Sequence, residues 1–257
     1  MKYYYAFQCH NFQRRACWVL SSILQQTIWP FKIIVDIACL RDNGKPSTEW
    51  VAQEFAARGL DVRLTHFENK DVFAKRGLVR NVQCKNAIAN KADYVFFADA
   101  DTLYQPEFFE ILTDKLKAFG ETIHKCIYSA NKMHTIKEAT NAAIEKSLGE
   151  LPYIKNAFER ALALPQMVIP RDQLKDGGAA GCMQVVSIRD LIGIGKGIYI
   201  PRKNNKDRHL FKAGQLARSD IFFRIRMGGS KRIRLPLQIH LQHTRDKELG
   251  YHTEEQR

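Results

Sequence analysis

The stretch Asp93-Tyr94-Val95-Phe96-Phe97-Ala98-Asp99-Ala100-Asp101 decides how this 257-residue chain is read. The apolar and aromatic run Tyr94-Val95-Phe96-Phe97-Ala98 is too short for a buried helix and right for a strand covered on both faces. Two carboxylates separated by one residue cannot both enter such a core, so Asp99 and Asp101 mark the strand's exit at its carboxyl end. Upstream, similar apolar runs recur at residues 3–8, 31–37 and 61–67. Helical stretches at residues 14–26, 47–58 and 72–90 separate them, and Gly59 stands where a helix C-terminal glycine belongs. This alternation predicts an α/β fold with a Rossmann-like, mostly parallel central sheet flanked by helices. There is no G-x-G-x-x-G turn, so a dinucleotide fingerprint does not account for the half-sheet. Ligands in such sheets bind outside the carboxyl ends of the strands, where the two aspartates fall.

Downstream, Pro106 has the fixed φ that suits a first helical turn, and residues 107–119 continue with helical periodicity up to Gly120. Residues 137–164 form a second helical region, broken at Pro152, with no recognisable chemistry. An apolar strand at Met183–Ser187 and strand-like residues 232–239 complete the pattern.

Composition narrows the class. No run approaches the roughly 18 apolar residues needed to cross a bilayer. The best candidate, residues 31–40, carries Lys32 and Asp36. The opening Met1-Lys2-Tyr3-Tyr4-Tyr5 lacks the apolar core of a signal peptide, so a soluble, cytoplasmic protein is expected. Cys9, Cys17, Cys39, Cys84, Cys126 and Cys182 form no C-x-x-C pair and are expected to be reduced core residues. The net charge is +13, and residues 196–234 hold twelve Lys and Arg against only Asp207 and Asp220, so this segment alone carries +10. Such a segment attracts a polyanion, an anionic membrane surface or a diphosphate.

The motifs carry the chemistry. D-x-D arises by chance roughly once in a few hundred residues, and its place after a buried strand is what makes it informative. The paired oxygens of Asp99 and Asp101 suit Mg²⁺ or Mn²⁺, and an ion there could also bind phosphate oxygens and neutralise a leaving nucleoside diphosphate. Gly177-Gly178-Ala179-Ala180-Gly181 offers bare backbone for close approach of a sugar or phosphate. In His240-Leu241-Gln242-His243-Thr244-Arg245-Asp246-Lys247, a histidine could complete a metal site and the cations could hold phosphate.

Val79-Arg80-Asn81, followed by the Asp93 to Asp101 series, resembles the "RN" helix and D-x-D strand of GT-A glycosyltransferases, notably glycosyltransferase family 2. Gly178 to Gly181, followed by Asp220-Ile221-Phe222-Phe223-Arg224, resembles that family's glycine segment and the acid before its next helix. His243-Thr244-Arg245-Asp246-Lys247 is similar to the metal-binding histidine segment of the β-1,4-galactosyltransferases. The resemblance implies one GT-A domain over residues 1–257. Within it, residues 1–105 would be the nucleotide-sugar-binding half and residues 106–257 the acceptor half, with a helical insertion at 137–164.

It further implies a metal-dependent, inverting glycosyltransferase using a nucleotide-sugar, by resemblance a UDP-sugar, with Mn²⁺ or Mg²⁺. Asp101 would bind the metal directly, Asp99 would contact the donor ribose or the metal through water, and His243 would be the third protein ligand. Asp36 would contact the nucleobase or ribose, Arg80 the diphosphate or sugar, and Gly178 and Gly181 the donor. Asp220 would be the base that deprotonates the acceptor. The chain has Arg218-Ser219-Asp220 where members carry an acidic pair, and Asp42 is the substitute for Asp36.

Because the basic segment surrounds Asp220, the acceptor is expected to be anionic, with Lys203, Arg208, Arg245 and Lys247 as phosphate contacts. A hydroxymethylated pyrimidine in DNA, of the kind bacteriophage enzymes decorate in the host cytoplasm, meets this condition. A lipid-linked or surface glycan is the alternative, and lacks the amphipathic, aromatic-anchored helix it calls for. A metal-dependent nuclease or phosphoryl-transfer enzyme is the alternative from another class. It calls for further carboxylates near Asp99, which the sequence does not offer.

Overall fold

Tyr3-Tyr4-Tyr5-Ala6-Phe7 explains why the sheet forms where it does: every residue is buried and the side chains alternate between its two faces. The structure, a computed structural model, describes residues 1–28, 32–41, 46–74, 76–119, 126–129, 131–167, 183–194 and 230–242. The first half alternates β1 (Tyr3–Cys9), α1 (Gln13–Leu24), β2 (Ile33–Leu40), α2 (Thr48–Ala57), β3 (Asp61–Phe67), α3 (Lys70–Ala74), α4 (Arg76–Ala89) and β4 (Tyr94–Ala98). Then come β5 (Thr102–Tyr104), α5 (Phe108–Phe119), β6 (Cys126–Tyr128), β7 (Lys132–His134), α6 (Lys137–Lys146) and α7 (Ala157–Leu162). The described elements end with β8 (Met183–Ser187), α8 (Ile188–Ile194), β9 (Ser230–Arg232) and β10 (Gln238–His240).

The main sheet has the order β3-β2-β1-β4-β8-β6-β9. Strands β3, β2, β1 and β4 are mutually parallel, and β8 runs antiparallel to both β4 and β6. Tyr3, Tyr5 and Phe7 enter the larger core, which lies under α1, α2, α5 and α7. Tyr4 and Ala6 enter the smaller core, shared with Cys84 and Ala87 of α4 and Leu191 of α8. Local signals agree with this packing. Ser47 caps α2 by accepting the Trp50 N–H at 3.1 Å, and Gly59 takes the left-handed φ of 97° that ends that helix.

The mostly parallel, helix-flanked α/β sheet is as the alternation implies, with β3, β4 and β8 at their expected residues. Three points differ. Strand β2 runs on to Leu40, past the expected end at residue 37, because Ala38 and Leu40 bury against Phe73 and Val79. The helix expected over residues 72–90 is divided into α3 and α4. Residues 232–239 are not one strand: β9 and β10 belong to different sheets, with Pro236, which lacks an N–H donor, between them. The helical region at 137–164 is divided into α6 and α7 on either side of Pro152, and its Ile144, Ile154, Phe158 and Ala161 join the larger core. Trp18 on α1 also donates to Ser147 Oγ at 3.1 Å.

A second sheet, β5-β10-β7, built of three-residue strands, shapes the site. The thiols of Cys9, Cys17, Cys39 and Cys84 are buried as expected, and burial pushes Cys17 and Cys84 up to about 12. Cys126 lies at the start of β6, and Cys182 lies outside the described residues. Among the described residues, no helix is long and apolar enough to cross a membrane.

Candidate active site

Chain order reverses between β1 and β4, since β2 and β3 lie on one side of β1 and β4 on the other. In an open α/β sheet this switch point opens a crevice at the strands' carboxyl ends, and Asp99 and Asp101 follow β4 at that position. The turn that carries them is bracketed by an aromatic block. Phe96 on β4 stacks on Tyr5 of β1 at 5.3 Å and meets Tyr104 of β5 edge-on at 5.5 Å, and Tyr104 packs on Phe108 of α5 at 4.7 Å. Burial raises the Tyr5 hydroxyl, and the nearby Asp99 and Asp101 carboxylates raise it further.

The second sheet brings distant residues to the acids. Strand β10 pairs antiparallel with β5, His240 opposite Thr102, and parallel with β7, His240 opposite His134. The Leu241 N–H donates to the Asp101 carbonyl at 2.8 Å. His240 Nε2 lies 3.3 Å from Asp101 Oδ2, with side-chain exposures of 14% and 6%, so the pair is largely withdrawn from water. Thr102 Oγ1 donates to Asp101 Oδ1 at 3.4 Å. The His134 and His240 rings lie 4.9 Å apart, and Gln242 Nε2 is 3.0 Å from His134 Nδ1. Burial pulls His134 down to about 3, helped by Lys132 and His240 and opposed by Asp101, so its ring is neutral at physiological pH. Arg15 of α1 reaches Asn141 Oδ1 at 2.8 Å and the Gln242 carbonyl at 3.4 Å, tying the end of β10 to α1 and α6.

The other expected residues are placed differently. Asp36 is not at a strand end: with β2 extending to Leu40 it lies mid-strand, wholly buried and directed toward α4. Its Oδ1 accepts from Thr65 Oγ1 at 2.7 Å, and Asn86 Nδ2 donates to the same Thr65 oxygen at 3.0 Å. Burial raises the Asp36 carboxyl, and the Thr65 hydrogen bond works in the opposite direction. A carboxyl held inside in this way is not presented to a nucleotide, because no surface of it is open. Arg80 on α4 is also buried, its guanidinium 5.3 Å over the Phe97 ring and 3.5 Å from Gln184 Oε1 across the β4–β8 seam. It lies behind the strand that delivers the acid pair. Asp42, Gly178, Gly181, Lys203, Arg208, Asp220, His243, Arg245 and Lys247 lie outside the described residues.

The structure thus joins Asp101 to His240, the other histidine of the segment that contains His243, and adds His134, which the sequence reading did not single out. No local signal marks His134, whose relation to the acids runs through a strand pairing with a partner 106 positions away. In donor chemistry the carboxylates and imidazole fit a divalent ion that accepts oxygen and nitrogen. Among the described residues, no group of three His, Cys, Asp or Glu is disposed to hold one, so phosphate oxygens or His243 would have to complete the shell.

A mixed α/β domain with a mostly parallel central sheet, bearing an acid pair at its switch point, is of the GT-A class. The chain belongs to glycosyl transferase family 2, whose profile matches residues 14–167. No curated protein matches the sequence. Among solved structures, S. aureus TarS 1–349 in complex with UDP-GlcNAc is 13% identical with a TM-score of 0.56, over 95% of this chain and 60% of that one. Mannosyltransferase PcManGT from Pyrobaculum calidifontis, in complex with GDP-Man and Mn²⁺, is 14% identical with a TM-score of 0.53, over 95% of this chain and 58% of that one. GalNAc-T7 with UDP, GalNAc and Mn²⁺ is 11% identical with a TM-score of 0.52, over 95% and 44%. The chain therefore spans less than two thirds of the length of these proteins, and the likeness is one of fold.

Proposed function

We propose that the protein is a metal-dependent glycosyltransferase that moves a sugar from a nucleotide-sugar donor to a hydroxyl acceptor. The observation that carries this reading is the Asp99/Asp101 pair at the switch point, with His240 drawn onto Asp101 by the second sheet. Asp101 and Asp99 would hold Mn²⁺ or Mg²⁺, with His240 or His243 as the imidazole partner. The ion would neutralise the charge that develops on the departing nucleoside diphosphate. Asp99 would contact the donor ribose, or the ion through water. Arg80 supplies positive charge behind the strand end, and Gly178 and Gly181 admit the sugar or diphosphate close to the backbone. Asp220 takes the proton of the acceptor hydroxyl as that oxygen attacks the anomeric carbon, so the configuration inverts.

The UDP-GlcNAc complex of TarS and the UDP and Mn²⁺ complex of GalNAc-T7 support UDP as the donor's nucleotide, while the GDP-Man complex of PcManGT keeps guanosine in the test. For the acceptor, the +10 charge of residues 196–234 around Asp220 favours an anionic polymer, and we take a hydroxymethylated pyrimidine in DNA as its form. Lys203, Arg208, Arg245 and Lys247 would then contact phosphates. Incubation with Mn²⁺, radiolabelled UDP- and GDP-sugars, and hydroxymethylated DNA beside a phosphate-bearing glycan tests both halves. The expected result is label in DNA, falling steeply with salt. Label in the glycan alone would overturn the DNA assignment, and neither transfer nor donor hydrolysis with any sugar would overturn the glycosyltransferase reading.

A further inference from the structure

His134 sits on a three-residue strand with no motif, yet the pairing of β7 with β10 places it at the end of a row leading to the acid pair. The parallel register sets its ring 4.9 Å from that of His240, whose Nε2 is 3.3 Å from Asp101 Oδ2. On the other side, Gln242 Nε2 lies within hydrogen-bond distance of His134 Nδ1 at 3.0 Å. Gln242 is itself fixed. Its backbone N–H donates to Thr135 Oγ1 at 3.1 Å, and its carbonyl accepts from Arg15 at 3.4 Å. Thr135 Oγ1, one residue past β7, donates to the His240 carbonyl at 3.2 Å, so the backbone of His240 is held beside the His134 ring.

A histidine near the end of a three-residue strand has several rotamers open to it, and most would turn Nε2 away from Asp101. We propose that His134, fixed by Gln242, is the positioning residue of the Asp101–His240 pair: its ring holds the His240 ring so that Nε2 is aimed at Asp101. This rests on the reading of Asp101 as the acid that takes the ion and the donor. Partners one step removed from a metal-binding group set its orientation, and their loss typically lowers metal affinity or activity about 10- to 100-fold.

The test is the Mn²⁺ dissociation constant of the full chain in the presence of UDP, read from the electron paramagnetic resonance of free Mn²⁺ and set beside the thermal midpoint. His134→Ala is expected to weaken Mn²⁺ about 10- to 100-fold. In a His240→Ala background the same change is expected to add no more than about twofold, because its route is gone. His134→Asn, whose Oδ1 keeps the Gln242 contact and with it the local fold, should show the loss seen in His134→Ala, since it lacks the ring. Gln242→Ala should fall between wild type and His134→Ala. Unchanged Mn²⁺ affinity in His134→Asn, or an equal loss in both backgrounds, would overturn the proposal. Failure of the wild type itself to bind Mn²⁺ with UDP would overturn the reading of Asp101, and the proposal with it.

Discussion

Replacing Phe96 with leucine should lower stability and, separately, loosen the acid pair. Phe96 is fully buried, and its ring lies 5.2 Å from Phe109, 5.3 Å from Tyr5, 5.5 Å from Tyr104 and 6.1 Å from Phe108. Leucine keeps much of the apolar area and gives up the ring contacts, each about 0.5–1.5 kcal/mol and not fully additive. With the void left behind, the expected destabilisation is about 2–4 kcal/mol, read from urea unfolding. The control is Phe55→Leu, equally buried in the same core but on α2. At a temperature where both variants are folded, Phe96→Leu should weaken Mn²⁺·UDP binding up to about tenfold, as expected when a binding constellation shifts by a fraction of an ångström. Phe55→Leu should leave binding within about twofold, because α2 does not brace that turn. Equal loss in the two variants, or none in either, would refute the idea that the aromatic block sets the geometry of Asp99 and Asp101.

Asp36→Asn should become more stable relative to wild type as pH rises to 8, since asparagine can still accept from Thr65 and carries no charge to bury. The sign follows from burial raising the Asp36 carboxyl: its contribution is full below the ordinary carboxylate value and lost as pH rises through the folded value. The gain should therefore shrink toward pH 4 in denaturant titrations, and UDP affinity should not change; a gain that does not grow from pH 4 to pH 8 would contradict this. The opposite slope is expected from His134 in metal-free protein. Its pKa is pulled from 6.5 to about 3, so the unfolded chain binds a proton there that the folded chain refuses, and stability falls as pH drops from 6.5 toward 3. The loss is below the full 1.36 kcal/mol per pH unit because the ring is partly solvated, and His134→Asn should flatten it in urea titrations at pH 4 and pH 7.

The first hundred residues were legible because β1, β2 and β4 are apolar along nearly their whole length, β3 alternates, and the helices between them are amphipathic, so the period changes at each boundary. The strand ending at Ala98, and with it the position of the aspartates, could be read for that reason. The end of β2 could not, since Ile37-Ala38-Cys39-Leu40 is apolar with no turn residue to mark where the strand stops, and only the cover of Phe73 and Val79 over Ala38 and Leu40 shows it. That error moved Asp36 from the interior to the surface. Strands β5, β7 and β10 are three residues each, too short for any periodicity, and exist only as partners of one another. Their pairing selects His240 for Asp101 and recruits His134, information that resides in register rather than in any local pattern.

The central claim is that Asp101 organises a metal-bound nucleotide. Isothermal titration of the protein with UDP in Mn²⁺, repeated with EDTA and with Asp101→Asn, tests it most directly. The account predicts binding that vanishes in EDTA and weakens at least about 100-fold in Asp101→Asn, roughly 2.7 kcal/mol, with an unchanged thermal midpoint. Binding of UDP to Asp101→Asn with wild-type affinity, or binding indifferent to EDTA, would contradict it.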